Sequence, residues 1–500
     1  MSRFWKRNSA WPDGICEKNR KQRKESIEDR QMKKVSYALL ALLATAGIYM
    51  IYRLSMVAGV KAALMLGLVL AAVCVLLWLC SRKWPKAAIP VTLVLLILLA
   101  AAARPVETVT DVAKQVTQVV EYETVQIAAL KDSGITAEDD FSRLVLGYVN
   151  GDDGAYERSS EILVEQEKTV AKSKPYKSAK GLYKYFLEGH TDLMVLTPEV
   201  RSDLTDIDED YEEKIVILFE KSYQLDVIQT RDVDIRTEPF TVYLCGTDLS
   251  SGANINSTGR GDVNILLSVN PETKKVYLQT IPRDTFVYIP CRGGSSKLSY
   301  SGWWGGVQSS IESIEDKFGI EINYYAKINF EGLTDLVDAL GGVEVYSHYT
   351  YTVGNYSFVK GWNQVNGDQA LMFARLRKML PQNELSRGQH QMELIKGIFR
   401  KFAQNPTYDN CMAVLDAMEN NFVTNLPPED YYDAFRLVVE LLPQLSEMEN
   451  HSLDGEYEWH YDEIREGRYQ YYYYPYESEI RRVKESVDAV LAGGEVPATE

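Results

Sequence analysis

Three apolar runs crowd the first hundred residues, and nothing else in the chain restricts its architecture so much. They cover residues 37–52, 62–80 and 87–103. A helix needs roughly 17–25 apolar residues to cross a bilayer, so the second and third runs suffice and the first only just does. Residues 53–61 separate the first two, which therefore read as a tight hairpin. The competing reading, a removable signal peptide followed by buried core helices, finds no small-residue cleavage site among the successive runs. Basic residues set the orientation. The tail before Val35 holds Arg3, Lys6, Arg7, Lys18, Arg20, Lys21, Arg23, Lys24, Arg30, Lys33 and Lys34, and the loop after the second run holds Arg82, Lys83 and Lys86. Positive-inside bias places both in the cytoplasm. An odd number of crossings then puts everything after Arg104 on the extracellular face of a multi-pass cell-membrane protein.

The formal net charge is −16. The tail contributes about +6 and the residues between the runs about +5, so the outer portion carries roughly −27. A surface that acidic is a poor binder of polyanions. The basic tail has no aromatic interleaving of a nucleic-acid site and already has a topological role, so no nucleic-acid partner is expected. Arginines in the outer portion are exceptions to their surroundings. Cys16 falls in the cytoplasmic tail, Cys74 and Cys80 in the second run, and Cys245, Cys291 and Cys411 outside. Three outer cysteines cannot all pair within one chain, so there is no disulfide framework, although one bridge is possible. The five histidines form no zinc pattern.

The predicted organisation is a cytoplasmic basic tail (1–35), three transmembrane helices (36–103), an accessory α/β domain (104–237), a larger α/β domain (238–491) and a short tail (492–500). In the accessory domain, strands are expected over 124–130, 143–149, 191–196 and 214–219, with a helix over 178–188. In the larger domain, strands are expected over 241–244, 263–269, 276–281 and 343–346. Helices are expected over 308–318, 330–340, 369–374, 387–402, 430–442 and 477–491. The tyrosine run 471–474 reads as part of a strand over 468–474, following one over 456–460. The alternation predicts an α/β fold, a central mixed sheet flanked by helices.

Short stretches of this larger domain carry the chemistry. Asp248 follows its first strand and Asp262 opens its second, so two carboxylates share a strand-end mouth, where they could hold one Mg²⁺. A helix cap or an Asx turn would account for the same residues. Arg283 and Asp284 end the third strand, where polar side chains project into a shared crevice. Arg375 and Arg377 alternate just past the 369–374 helix, facing one way in an extended segment. Arg387 and Gln391 are one turn apart at the start of a helix, whose free N–H groups attract anions. Guanidinium groups bind phosphate oxygens bidentately, and each of these arginines sits at an element boundary. The tripeptide 260–262 also spells Arg-Gly-Asp, with nothing to suggest an adhesive partner. No Walker loop, nucleophile elbow or histidine triad is present.

The span from Val242 to about Leu491 resembles the LytR-CpsA-Psr family. The resemblance rests on Cys245-Gly-Thr-Asp248, Gly259-Arg-Gly-Asp-Val-Asn264, Gln279-Thr-Ile-Pro-Arg-Asp284, Gly341-Gly-Val343, Gly367-Asp-Gln-Ala-Leu371 with Ala374-Arg-Leu-Arg377, and Arg387 to Gln391. Three N-terminal spans plus an accessory domain look like its CpsA-type branch. The resemblance implies a phosphotransferase outside a Gram-positive cell, moving a capsule- or teichoic-acid-like glycopolymer from an undecaprenyl-pyrophosphate carrier to a muramic acid hydroxyl of peptidoglycan. By the same resemblance, Asp248 and Asp262 would hold Mg²⁺ (or Mn²⁺). Arg260, Arg283, Arg375, Arg377 and Gln391 would hold the pyrophosphate, with Arg387 at its rim or supporting it. Arg283, Asp284, Arg375 and Arg377 would be catalytic. Gly261, Tyr300, Glu384 and His390 depart from commoner family choices, so a base role for Glu384 is not implied. A lipid-pyrophosphate hydrolase and a non-catalytic regulator of envelope assembly are the alternative readings.

Overall fold

A computed structural model describes residues 13–55, 59–116, 120–150, 154–208, 210–225, 228–229, 231–249, 252–377, 379–381, 384–405, 408–447, 453–465 and 468–497. The apolar runs form helices α1 (Asp13–Ser55), α2 (Gly59–Lys83) and α3 (Pro85–Val116). Ile27–Ser55, Ala63–Lys83 and Pro85–Ala103 are each long and apolar enough to cross a membrane. Large apolar side chains such as Leu64, Leu68, Leu76 and Ile97 are exposed on them, as a lipid-facing surface requires. Ser36 and Ser81 share a buried hydroxyl–hydroxyl bond of 2.7 Å between α1 and α2. The side chains of the basic tail up to residue 26, and residues 56–58 of the expected hairpin, lie outside the described residues.

The chain divides into two compact units, Met1–Ala113 with Pro428–Tyr432, and Lys114–Pro427 with Asp433–Glu500. Two five-stranded sheets belong to the second. The first is built from β1 (Tyr122–Leu130), β2 (Val145–Val149), β3 (Lys172–Tyr176), β4 (Leu193–Leu196) and β5 (Ile215–Gln224), in the order β3-β2-β4-β1-β5. Helices α4 (Ala155–Glu165), α5 (Ala179–Leu187), α6 (Pro198–Ile207) and the single turn α7 (Tyr211–Lys214) accompany it. Thr197 caps α6 by accepting from the Val200 N–H, and Pro198 takes the first turn, where no N–H is needed. The expected strands and α5 are present; β3, α4 and α6 are additions to that expectation.

The second sheet has the order β16-β11-β6-β7-β8. Its strands are β6 (Phe240–Thr247), β7 (Gly261–Asn270), β8 (Lys275–Thr280), β11 (Tyr324–Asn329) and β16 (Phe422–Thr424), and β11 runs parallel to β6 while the other pairs are antiparallel. It is the expected mixed sheet flanked by helices. Smaller ribbons pair β9 (Phe286–Ile289) with β10 (Gly294–Lys297), β12 (Val343–Ser347) with β15 (Gly361–Val365), β13 (Tyr351–Val353) with β14 (Tyr356–Phe358), and β17 (Gly455–Tyr461) with β18 (Tyr469–Pro475). The flanking helices are α8 (Leu298–Phe318), α9 (Phe330–Ala339), α10 (Gly367–Arg375), α11 (Glu384–Gln404), α12 (Tyr408–Met418), α13 (Tyr431–Glu447) and α14 (Glu477–Leu491). The tyrosine run is the expected strand. Pairing Tyr457 with Tyr473, Trp459 with Tyr471 and Tyr461 with Tyr469 stacks six aromatic rings along one face of the β17–β18 ribbon. Cys245 and Cys291 are free thiols rather than a bridge, and the side chain of Cys411 lies outside the described residues.

One polar knot joins the two sheets. The α8 helix breaks at Gly305 and Gly306, the latter at φ 64°. A Cβ on Gly306 would lie 2.0 Å from Glu121 Oε2. Into that gap Glu121 inserts its carboxylate, accepting from the Val307 N–H and from Lys327 Nζ at 2.5 Å. Lys327 also donates to the Ser257 carbonyl at 2.8 Å. Glu121 and Lys327 are both only 2% exposed. The carboxylate just ahead of β1 therefore starts the second half of α8 and neutralises Lys327 on β11 of the other sheet.

Candidate active site

The two aspartates arrive together because β6 and β7 are neighbours with a defect in their pairing. Gly246 opposes Val263 and Thr247 opposes Gly261, so Asp262 is the extra residue of a β-bulge. Bulges re-aim a side chain out of the ladder. Here the Asp262 carboxylate meets two arginines from distant segments. Arg283, just past β8, donates to Oδ1 at 2.6 Å, and Arg387, in the first turn of α11, lies 3.3 Å from Oδ2 while donating to the Asp262 carbonyl at 2.6 Å. Burial alone would raise the Asp262 pKa, but Arg283, Arg387 and Arg260 hold its carboxyl well below the usual range.

Asp248, one residue past β6, is held from the other side. The Arg260 backbone N–H donates to Oδ1 at 2.7 Å and Arg260 Nε to Oδ2 at 2.7 Å. Ser202 of α6 donates to Oδ2 at 3.3 Å, and Asp206 of α6 takes Arg260 NH1 at 2.7 Å. Burial would lower the Arg260 pKa, but Asp248, Asp262 and Asp206 raise it above the ordinary value. The site is thus lined by helix α6 as well as by the second sheet, and neither Ser202 nor Asp206 was singled out from the sequence. No local motif marks them; they act only through tertiary approach.

A second cluster lies on the next loop. Asp284 accepts from Lys297 Nζ at 2.8 Å and pairs with Arg377 NH1 at 3.5 Å. Burial opposes ionisation of Asp284, yet Lys297, Arg283 and Arg377 hold its pKa down. It is a poor base and a good anchor for two cations. Lys297, at the end of β10, was also missed. Arg375 and Arg377 differ from the expected arrangement: Arg375 closes the last turn of α10 and the extended segment begins at Leu376, so the two do not share a strand face. Arg375 is exposed over the Phe330 ring, 4.5 Å from its centroid, and enters no ion pair among the described residues. Gln391 is one turn beyond Arg387 and donates to the Ala374 carbonyl at 3.4 Å, which ties α11 to the end of α10. The Glu384 side chain lies outside the described residues. Burial pushes the Cys245 thiol up to about 11, so it offers no thiolate.

The residues present suit a hard divalent cation. Asp248 and Asp262 supply carboxylate oxygens, and the buried hydroxyl of Thr247, the residue before Asp248, has no hydrogen-bond partner among the described residues. Gly259 keeps that corner open: a Cβ there would lie 2.6 Å from Thr247 Oγ1 and 3.2 Å from Asp248 Oδ1. An unsatisfied buried oxygen beside an ionised carboxylate is the donor chemistry Mg²⁺ uses.

Comparison with known proteins identifies the family. The LytR_cpsA_psr family profile matches residues 209–488. The polyisoprenyl-teichoic acid–peptidoglycan teichoic acid transferase TagU of Bacillus licheniformis is 36% identical over 202 residues, 40% of this chain and 64% of that protein. The Bacillus subtilis protein of the same name is 32% identical over 212 residues, 42% and 68% of the two chains. The chain therefore spans just under two thirds of the first of these relatives. The crystal structure of B. subtilis TagU aligns with 52% of this chain and 100% of its own, at 29% identity and a TM-score of 0.41.

Proposed function

The chain belongs to the LytR-CpsA-Psr family, and on that premise we propose that it is a membrane-anchored transferase acting on the outer face of the cell. It moves a teichoic-acid-like or capsule-like glycopolymer from a polyprenyl-pyrophosphate carrier to peptidoglycan. The observation that carries this reading is the bulge at Asp262, which gathers Arg283 and Arg387 beside the Asp248–Arg260 pair. The teichoic acid transferases named above supply the substrate class, and the three apolar helices supply the anchor.

A pyrophosphate leaving group needs its charge neutralised more than it needs a protein nucleophile. Arg260 and Arg283 are the guanidinium groups nearest both aspartates and would hold the phosphate oxygens bidentately. Arg387, 3% exposed, supports Asp262 and fixes its direction. Arg377 borders the site through Asp284, and Arg375 would leave the Phe330 ring to meet an approaching phosphate. Asp248 and Asp262, with the Thr247 hydroxyl, would hold Mg²⁺, which when bound contributes further charge neutralisation. The acceptor hydroxyl attacks the sugar-bearing phosphorus. A new P–O bond forms, the bond to the bridging oxygen breaks, polyprenyl phosphate departs, and the hydroxyl proton passes to solvent. Asp284 orients Lys297 and Arg377 in this scheme and takes no proton.

The test is to incubate the full chain in nanodiscs with a prenyl-pyrophosphate oligosaccharide, Mg²⁺ and a peptidoglycan acceptor. Glycan joined to the acceptor is the expected product. Phosphate release indifferent to the acceptor would identify a hydrolase, and neither product a regulator. Arg283→Ala should abolish turnover while near-ultraviolet circular dichroism still reports a folded chain at the assay temperature. A reporter fused after the C-terminus should be active only outside the cell.

A further inference from the structure

Beside the phosphate site, between α6 and the 248–259 loop, lies a cavity of about 330 Å³ that the scheme above does not use. Its size falls within the roughly 300–1,000 Å³ of small-molecule sites. Arg201 of α6 lines it. This half-buried arginine makes no hydrogen bond or ion pair with its guanidinium among the described residues. An arginine in a domain this acidic normally finds a carboxylate, as Arg260, Arg465 and Arg468 all do. Two further residues of the same wall are short of partners: the Thr258 hydroxyl and the Trp303 indole N–H are buried without one among the described residues. Ser202 and Gln126 add a hydroxyl and an amide, and Trp303, 2% exposed and stacked on Tyr300, contributes its indole N–H rather than an open ring face. Glu212 and Asp248 both line the cavity and both act on Arg201; Asp248 closes the end nearest the phosphate site, so the Arg201 guanidinium, the cationic group of that lining, is where an anion would sit.

We propose that this cavity is a subsite for a sugar unit bearing one anionic group, a phosphate or a carboxylate, with the anion on Arg201 and the sugar hydroxyls at Thr258 and the Trp303 N–H. Hydroxyl groups, an indole N–H and a guanidinium that enters no direct ion pair among the described residues suit that chemistry and not a prenyl chain. The sugar's identity rests on the transferase reading; the presence of an anion site does not. Its position next to Asp248 makes it a holder of the saccharide adjoining the scissile phosphate, supplied by either the donor or the acceptor glycan.

Isothermal titration of the full chain in nanodiscs with N-acetylglucosamine 1-phosphate, without metal, tests this. Wild type should bind it at least tenfold tighter than N-acetylglucosamine or inorganic phosphate. Arg201→Gln should weaken binding at least tenfold, and Arg201→Lys should recover part of the loss. Arg283→Ala, which removes a guanidinium of the phosphate cluster, should weaken binding less than Arg201→Gln does. An Arg201→Gln affinity within twofold of wild type overturns the site, as does a larger loss in Arg283→Ala than in Arg201→Gln. Displacement of the probe by donor oligosaccharide or by muramyl fragments identifies the source, and displacement by neither overturns the saccharide assignment. Arg201-dependent binding in a protein that transfers no glycan would refute the transferase reading and leave the subsite standing.

Discussion

The knot at Glu121 gives the sharpest prediction. Replacing Glu121 by Gln keeps the shape that fills the gap at Gly306 but removes the charge opposite Lys327. The ammonium, 2% exposed, would keep only the Ser257 carbonyl at 2.8 Å. Removing one partner of a buried ion pair costs about 3–5 kcal/mol. The unit that contains the pair has about 380 residues, and an unfolding entropy of about 2.1 cal/mol/K per residue makes roughly 0.8 kcal/mol correspond to one degree. Glu121→Gln should therefore lower the melting temperature by about 4–6 °C, read by near-ultraviolet circular dichroism of the full chain in detergent. Lys327→Met should cost a similar amount, because it strands the carboxylate. The double variant should be more stable than the sum of the single losses by at least ~2 kcal/mol, since neither charge is then left alone. Additivity within ~0.5 kcal/mol would show that the two groups do not sense each other and would refute the reasoning.

His390 makes stability pH-dependent. Its ring is fully buried, stacked 4.0 Å from Phe373, and burial lowers its pKa to about 4. Because the folded value lies below the unfolded value of about 6.5, its contribution is complete above pH 6.5 and drains away as pH falls towards 4. The loss is roughly 3 kcal/mol at 1.36 kcal/mol per unit; His390→Leu should flatten the urea midpoint over that range, and an unchanged slope would place the titration elsewhere. Asp206→Asn frees Arg260 from a carboxylate whose side chain is 61% exposed. An exposed pair is worth up to about 1 kcal/mol, so pyrophosphate affinity should rise by up to about fivefold; unchanged or weaker affinity by calorimetry counts against competition at Arg260. Gly259→Ala places a methyl group against Thr247 Oγ1 and should raise the Mg²⁺ concentration for half-maximal turnover about tenfold, whereas an unaltered metal requirement would remove that corner from the metal site.

Much of this was legible in the sequence because periodicity and boundaries carry it. Helix α14 falls where its apolar spacing placed it, and Asp248, Asp262, Arg283 and Arg387 sit at strand and helix ends, which are visible in one dimension. Strand β11 was not visible. It is short, and Lys327 interrupts its apolar pattern; only the partner Glu121, 206 residues away, makes that lysine a core residue. The first half of α8 was hidden by its glycines and serines, whose close packing follows from the break at Gly306. The bulge that exposes Asp262 depends on how two strands register, and the roles of Ser202 and Asp206 on how two sheets dock. None of these has a local signature. Arg375 and Arg377 were misjudged because one extra helical residue separates their directions.

The contacts made by α6 also bear on whether the first sheet is a detachable part. Arg465 and Arg468, from the turn of the β17–β18 ribbon, close on Glu199 and Asp203, and Glu121 completes the far side. A chain cut at residue 238 would lose every one of those carboxylates, leaving a buried lysine, two arginines and an unfinished helix without counterions. The first sheet and α6 thus supply counterions and a helix start that the second sheet and its ribbon use, so in this chain the two share one set of buried charges rather than each balancing its own.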